Sequence, residues 1–452
     1  MRGEGVYIWD AEGQRYVDLA GSAAVNLIGH GVAEISAAMA EQAAKVEFVH
    51  TSQFTTPVAE AYAEELLAFA GEHFRGGAVY FTCGGSESIE AALKLARQYQ
   101  VEIGQAGRYQ TLSRQQSYHG STLGALSVSG NRRRREIYLP MLRGMVKEFA
   151  HVGMPYCYRC AFDCTDGCRN CGQQYAAELE QAIEASHGGA SHGERSNVAA
   201  AAFLFEPVSG ATLGAVVPPP GYLQSVAEIC RRHGVLLIAD EVMTGMGRTG
   251  RNFAVDHWFG DDTDNTPDIL VAAKGLSSGY APLGAVIASK KIVDAIAAGS
   301  GAFLHGFTYN AHPISLAAGR AVLRHLQEKK LVEAADSDRA DSPAAVFKKA
   351  LSGLREEEAV GDVRGIGLLW GMEFVADRAS KSPFPAKQNF SGRVAAGALK
   401  RGLLVYPMQG SVDGVSGDHL LLAPPAVITP EQIAWSVDEL AASIREAQLS
   451  LG

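Results

Sequence analysis

Short apolar runs rich in Val, Ile, Leu and Phe recur along the chain at 78–82, 199–205, 235–239, 269–273 and 283–288, with helical patterns between them. Runs that stay apolar on nearly every residue, rather than on alternate ones, are what a strand covered on both faces requires. The pattern predicts an α/β fold built on a mainly parallel sheet. Directly after Val79-Tyr80-Phe81, the residues Ile89, Ala92, Leu93 and Ala96 follow helical spacing. Strand, glycine turn and helix therefore stand in succession.

The two ends of the chain read differently. Gly5 to Asp10 and Gln14 to Asp18 predict a small hairpin around Asp10-Ala11-Glu12-Gly13. It is expected to join the C-terminal third, where Gly367 to Val375 reads as a strand with a hairpin partner around 403–406, followed by a final run at 420–423. The expected division is 1–50 as the first part of a smaller α+β domain, 51–310 as a large domain, and 311–452 as the rest of the small one. His187 to Ser196 and Ala335 to Pro343 read as surface loops. No internal repeat and no sustained heptad is present.

Composition narrows the functions. With 452 residues, 47% of them hydrophobic, the chain can bury a large core. Its 40 basic and 49 acidic side chains, net −9, argue against nucleic-acid binding as the main activity. The basic run Arg132 to Arg135 then reads as a solvated turn or a subunit-interface feature. One of the longest apolar stretches, Val198 to Phe205, stops at Glu206, far short of a membrane span. The opening residues, with Arg2, Glu4, Asp10, Glu12, Arg15 and Asp18, lack the apolar core of a secretory signal, so the cytoplasm is the expected location.

Three strand ends carry candidate chemistry. Thr82-Cys83-Gly84-Gly85-Ser86-Glu87-Ser88 opens a helix; its glycines allow close backbone approach, and its N–H groups with the Ser86 hydroxyl suit a phosphate. A simple helix cap is the plain alternative. Leu236 to Asp240 is an apolar strand ending in Asp240-Glu241, where α/β enzymes place ligand contacts, although Asp240 could merely cap a helix. Asp268 to Lys274 is another strand ending in a lysine, a residue seldom buried unless paired or reactive and more often at the surface. Together the three match the needs of a pyridoxal phosphate enzyme: an amine to form the imine, a carboxylate for the ring nitrogen, and a phosphate cradle.

Val79–Gln98, Ser117–Gly120, Phe205–Val208, Ile238–Gly250, Lys274 and Gly306–Asn310 resemble the successive motifs of class III (ω-type) aminotransferases, a group of fold-type I pyridoxal phosphate enzymes. The resemblance implies a large domain with a mainly parallel seven-stranded sheet sandwiched by helices, plus a smaller α+β domain. It implies pyridoxal 5′-phosphate bound through Lys274, which would also shuttle the substrate proton, with Asp240 on the pyridinium nitrogen. Gly85 and Ser86 would hold the phosphate, and Tyr118 and Val242 would flank the ring. His119 and Glu206 would also belong to the cofactor site. Thr308 would reach the phosphate of the neighbouring subunit's site, which implies a homodimer with shared active sites, or a tetramer built from it. The implied reaction is a ping-pong transfer from an amine or ω-amino acid to a keto acid, possible acceptors including pyruvate. An aminomutase, epimerase or decarboxylase on the same scaffold is the runner-up. A non-catalytic cofactor- or metal-binding protein is the alternative of another class, and Gly245-x-Gly247 lacks the third glycine of a dinucleotide loop.

The pattern departs in three places. In some members the position of Glu206 pairs with an arginine just before Ala423-Pro424-Pro425, the arginine that otherwise takes the α-carboxylate of glutamate. Here Leu421-Leu422 stands there, and no arginine occurs between Arg401 and Arg445. The substrates expected are those with less need of that clamp, with another arginine supplying it as the alternative. Family members also usually carry a further segment before the stretch beginning Arg2-Gly3-Glu4. Finally, of seven cysteines, five cluster at Cys157, Cys160, Cys164, Cys168 and Cys171. Two CxxC pairs could hold zinc, but they stand closer than the usual ribbon spacing, so free thiols or a labile disulfide is the expected state.

Overall fold

The computed structural model describes residues 1–145, 150–162, 168, 170–187, 199–260, 262 and 265–451. Cys164 and most of the expected 187–196 loop lie outside the described residues. The central sheet has seven strands in the order Ala78–Thr82, Gly284–Ala288, Ile269–Ala272, Leu236–Asp240, Ala199–Phe205, Arg108–Arg114 and His151–Val152. All of its pairings are parallel except those of Gly284–Ala288, which runs antiparallel to both neighbours. The five apolar runs thus become strands of one mostly parallel sheet.

Burial explains why those runs are apolar throughout. Along each strand alternate residues face opposite layers. Ala202, Leu204, Ile238, Ile269 and Val271 pack with Ile89, Ala92 and Leu95 of the helix Gly85–Glu102. Phe203, Phe205, Leu237, Ala239 and Leu270 enter the larger cluster on the other face. The helix Tyr222–His233 ends at Gly234, whose φ of +63° lets the chain reverse into Leu236–Asp240.

The expected N-terminal hairpin forms between Tyr7–Trp9 and Arg15–Asp18, and Leu403–Leu404 adds in parallel to the latter, joining the two chain ends. A second four-stranded sheet orders Val360–Ile366, Leu369–Phe374, Asp418–Leu422 and Tyr406–Gln409. This corrects the expected pairing: the hairpin partner of the 367–375 run is Val360–Ile366, not 403–406. The partner strand escaped notice because it carries Asp362 and Arg364. Both charges are compensated, Arg364 lying 3.1 Å from Asp362 and 3.1 Å from the buried Glu373. Among the described residues no helix is long and apolar enough to cross a membrane.

Candidate active site

A cavity of about 440 Å³ opens at the carboxyl ends of the parallel strands, lined by residues that include Gly85, Ser86, Tyr118, His119, Glu206, Asp240, Val242 and Lys274. Strands buried on both faces present polar groups only at their ends, so the chemistry collects there. Asp240 is the last residue of its strand and is only 5% exposed. One of its oxygens lies 2.7 Å from His119 Nδ1, and the other accepts the Val242 backbone N–H at 3.1 Å. With the imidazole hydrogen on Nδ1, His119 donates to Asp240, and its Nε2 is a buried acceptor without a partner among the described residues.

Lys274 follows Ile269–Ala272 and opens a short 3-10 turn with φ of +46°, a left-handed conformation unfavourable for a side chain with a Cβ. Its Nζ donates to the Ala23 carbonyl at 3.1 Å, bringing the N-terminal segment against the site. Burial lowers its pKa to about 8, against the opposing pull of Asp240 and Glu206. Glu206 is buried and pushed upward by that burial; it accepts backbone N–H groups from Gly210 at 2.8 Å and Tyr118 at 3.4 Å.

At the opposite end, the helix Gly85–Glu102 begins without a side-chain cap. Its leading N–H groups and positive dipole end face the cavity region, a ready anion site. Ser86 Oγ accepts the Ser121 N–H at 3.0 Å, and Gly120, with φ of +137°, would place a Cβ 2.6 Å from that oxygen. A Cβ on Gly85 would stand 3.3 Å from Val242. The glycines thus keep a cradle open. An uncapped helix start, an amine of depressed pKa, a buried carboxylate and an apolar side chain on one cavity fit pyridoxal 5′-phosphate.

The chain's match to the family model for aminotransferase class III spans residues 1–444. The chain belongs to the class III aminotransferases. It is 38% identical over 429 residues to an uncharacterized aminotransferase, YodT, of Bacillus subtilis, covering 94% of this chain and 90% of that protein. It is also similar to the crystal structure of a thermostable (S)-enantioselective ω-transaminase from Thermomicrobium roseum, with a TM-score of 0.86, 35% identity, and coverage of 99% of this chain and 92% of that one. An amine transaminase from an uncultivated Pseudomonas species, in its pyridoxal-phosphate-bound form, gives a TM-score of 0.86 at 34% identity, covering 99% and 94%. This aminotransferase therefore has the fold-type I architecture, uses pyridoxal phosphate and transfers amino groups.

In the aminotransferase, eight of the sequence-predicted positions meet on the one cavity; Thr308 does not, being exposed in the turn after Gly306. Leu421 and Leu422 are buried in the strand Asp418–Leu422, so no guanidinium stands at their positions. Arg248, from the glycine-rich motif, is spent structurally: it donates to the carbonyls of Ala423 at 3.1 Å, Pro424 at 2.6 Å and Asn26 at 2.8 Å. Two residues near the site escaped sequence reasoning. Arg114 is buried and donates to the Glu206 carbonyl. Arg134 sits with its guanidinium 4.2 Å from the Tyr118 ring centroid, so the basic run is not merely a solvated turn. No spacing signal marks either.

Proposed function

We propose that this aminotransferase takes its amino group from a simple amine or an ω-amino acid and passes it to a keto acid such as pyruvate, in a ping-pong cycle. The observation that carries the donor half is the apolar, strand-locked Leu421-Leu422 pair, which offers no bidentate partner for an α-carboxylate. Glu206 supports the same reading, since its polar contacts are backbone N–H groups rather than a clamping arginine. For ω-amino acids, Arg134 over Tyr118 supplies positive charge on that side of the cavity.

In this reading Gly85, Ser86 and the helix start hold the phosphate, while Tyr118 and Val242 orient the ring plane. Asp240, itself fixed by His119, keeps the ring nitrogen protonated. Bound there, pyridoxal phosphate supplies an electron sink for the pair released at the amine-bearing carbon. Lys274 anchors the cofactor and carries the proton. With a pKa of about 8 it is about one-tenth neutral at pH 7, far more than an ordinary lysine. Cofactor uptake by the apoenzyme should therefore accelerate as pH rises to about 8 and level off above it. Stopped-flow absorbance against pH checks this, and a rate still climbing toward pH 10 would rule out a depressed amine.

We also propose a homodimer in the cytoplasm, where its thiols stay reduced. Thr308 lies beside exposed apolar side chains, Leu304 at 76% and Tyr309 at 58% exposure, the type of surface a partner covers. Thr308 then serves the neighbouring subunit's phosphate.

A donor screen tests the substrate reading. Mixing the cofactor-loaded enzyme with simple amines, ω-amino acids and glutamate should bleach its visible band at least about tenfold faster for the first two classes. A faster reaction with glutamate would reverse the assignment.

A further inference from the structure

A group of thiols lies away from the cavity, on the segment between the edge strand His151–Val152 and the helix Cys171–His187. Cys157 starts a 3-10 turn, Cys171 is the first residue of the helix, and the sulfurs of Cys157, Cys168 and Cys171 all lie within 4.8 Å of one another. Four sulfurs around a zinc ion at about 2.3 Å stand about 3.8 Å apart, so three corners of such a site are already close to position. Cys160, at the other end of the turn from Cys157, accepts a hydrogen bond from Tyr175 Oη at 3.7 Å. The same hydroxyl accepts the Ala161 N–H at 2.9 Å, which fixes its direction. A donor aimed at a sulfur is the usual outer support of a ligating thiolate.

The short interval between the two CxxC pairs counts against a zinc ribbon, in which each pair sits on its own hairpin. Here one pair spans a 3-10 turn and the other leads into a helix, so the ribbon interval does not apply. No disulfide links the described cysteines, Cys157, Cys160, Cys168 and Cys171 all being thiols.

We propose that Cys157, Cys160, Cys168 and Cys171 form a closed, structural zinc site. On binding, the four thiols release four protons to solvent and four Zn–S bonds form, leaving a dianionic centre whose charge is eased by the N-terminus of the helix Cys171–His187. The site acts as a staple. The turn bearing the first pair is tied to the small domain through Arg159, 2.6 Å from Glu373, and through Lys381, which donates to the Tyr158 carbonyl at 2.8 Å. The second pair is continuous with a helix packed on the large sheet.

Metal analysis of the dialysed holoenzyme is expected to give about one zinc per chain. Cells grown on cobalt should yield protein with the red-region bands of tetrahedral cobalt thiolate, away from the cofactor's absorption. Cys157→Ser and Cys171→Ser should each lose the metal and lower Tm by at least about 5 °C, while Cys230→Ala keeps it. Should the serine variants fail to fold, titrating the wild type with an organomercurial decides the matter: zinc release in step with cluster thiols supports the site. Protein without stoichiometric zinc, a disulfide within the cluster, or an iron centre in its place would overturn it.

Discussion

Lys274→Ala should lower kcat/KM by at least about 10⁴-fold, because one substitution removes both the covalent anchor and the proton carrier. The loss should not come from unfolding. Lys274 is a desolvated cation whose one side-chain hydrogen bond among the described residues is to the Ala23 carbonyl, so its removal should leave Tm unchanged or slightly raised. Borohydride reduction of the loaded wild type should place the label on the peptide containing residue 274, and the variant should take up none. A label on another lysine would end the assignment.

Asp240→Asn should lower kcat by about 10²–10³-fold while phosphate-anchored cofactor still binds. The substitution keeps the side chain's shape and one acceptor for the contact with His119 Nδ1, now 2.7 Å. What it removes is the negative charge that holds a proton on the ring nitrogen. Steady-state rates with a fast donor, alongside the cofactor's dissociation constant, separate the two effects. A variant retaining more than about a tenth of wild-type kcat would reduce Asp240 to a positioning residue for His119.

Asp240 and Lys274 are legible in the sequence for the same physical reason. Ile238-Ala239-Asp240 and Val271-Ala272-Ala273-Lys274 each break a run apolar enough to need cover on both faces, and a charge at such a break must face a ligand or a partner. Arg108–Arg114 was illegible as a strand because Thr111, Ser113 and Arg114 are polar, although all three are buried. Arg114 is tolerated there by donating to the Glu206 carbonyl, a partner 92 residues away. The same holds for Val360–Ile366, whose Arg364 is answered by Glu373 from another strand. Arg134 near Tyr118 was hidden within a run of identical residues, where only the turn of a short helix decides which one faces inward. Long-range compensation of this kind leaves no local period to read.

The parallel pairing of Val17 with Leu403 has a consequence for how the protein is made. On the ribosome the first strands emerge long before their partner exists; at ordinary elongation speeds the delay is on the order of half a minute. During that interval an edge rich in unsatisfied amide groups waits in the cell, open to the wrong neighbour. Ala23, whose carbonyl meets Lys274, belongs to the same early segment, so that wall of the pocket waits at least until residue 274 has been made.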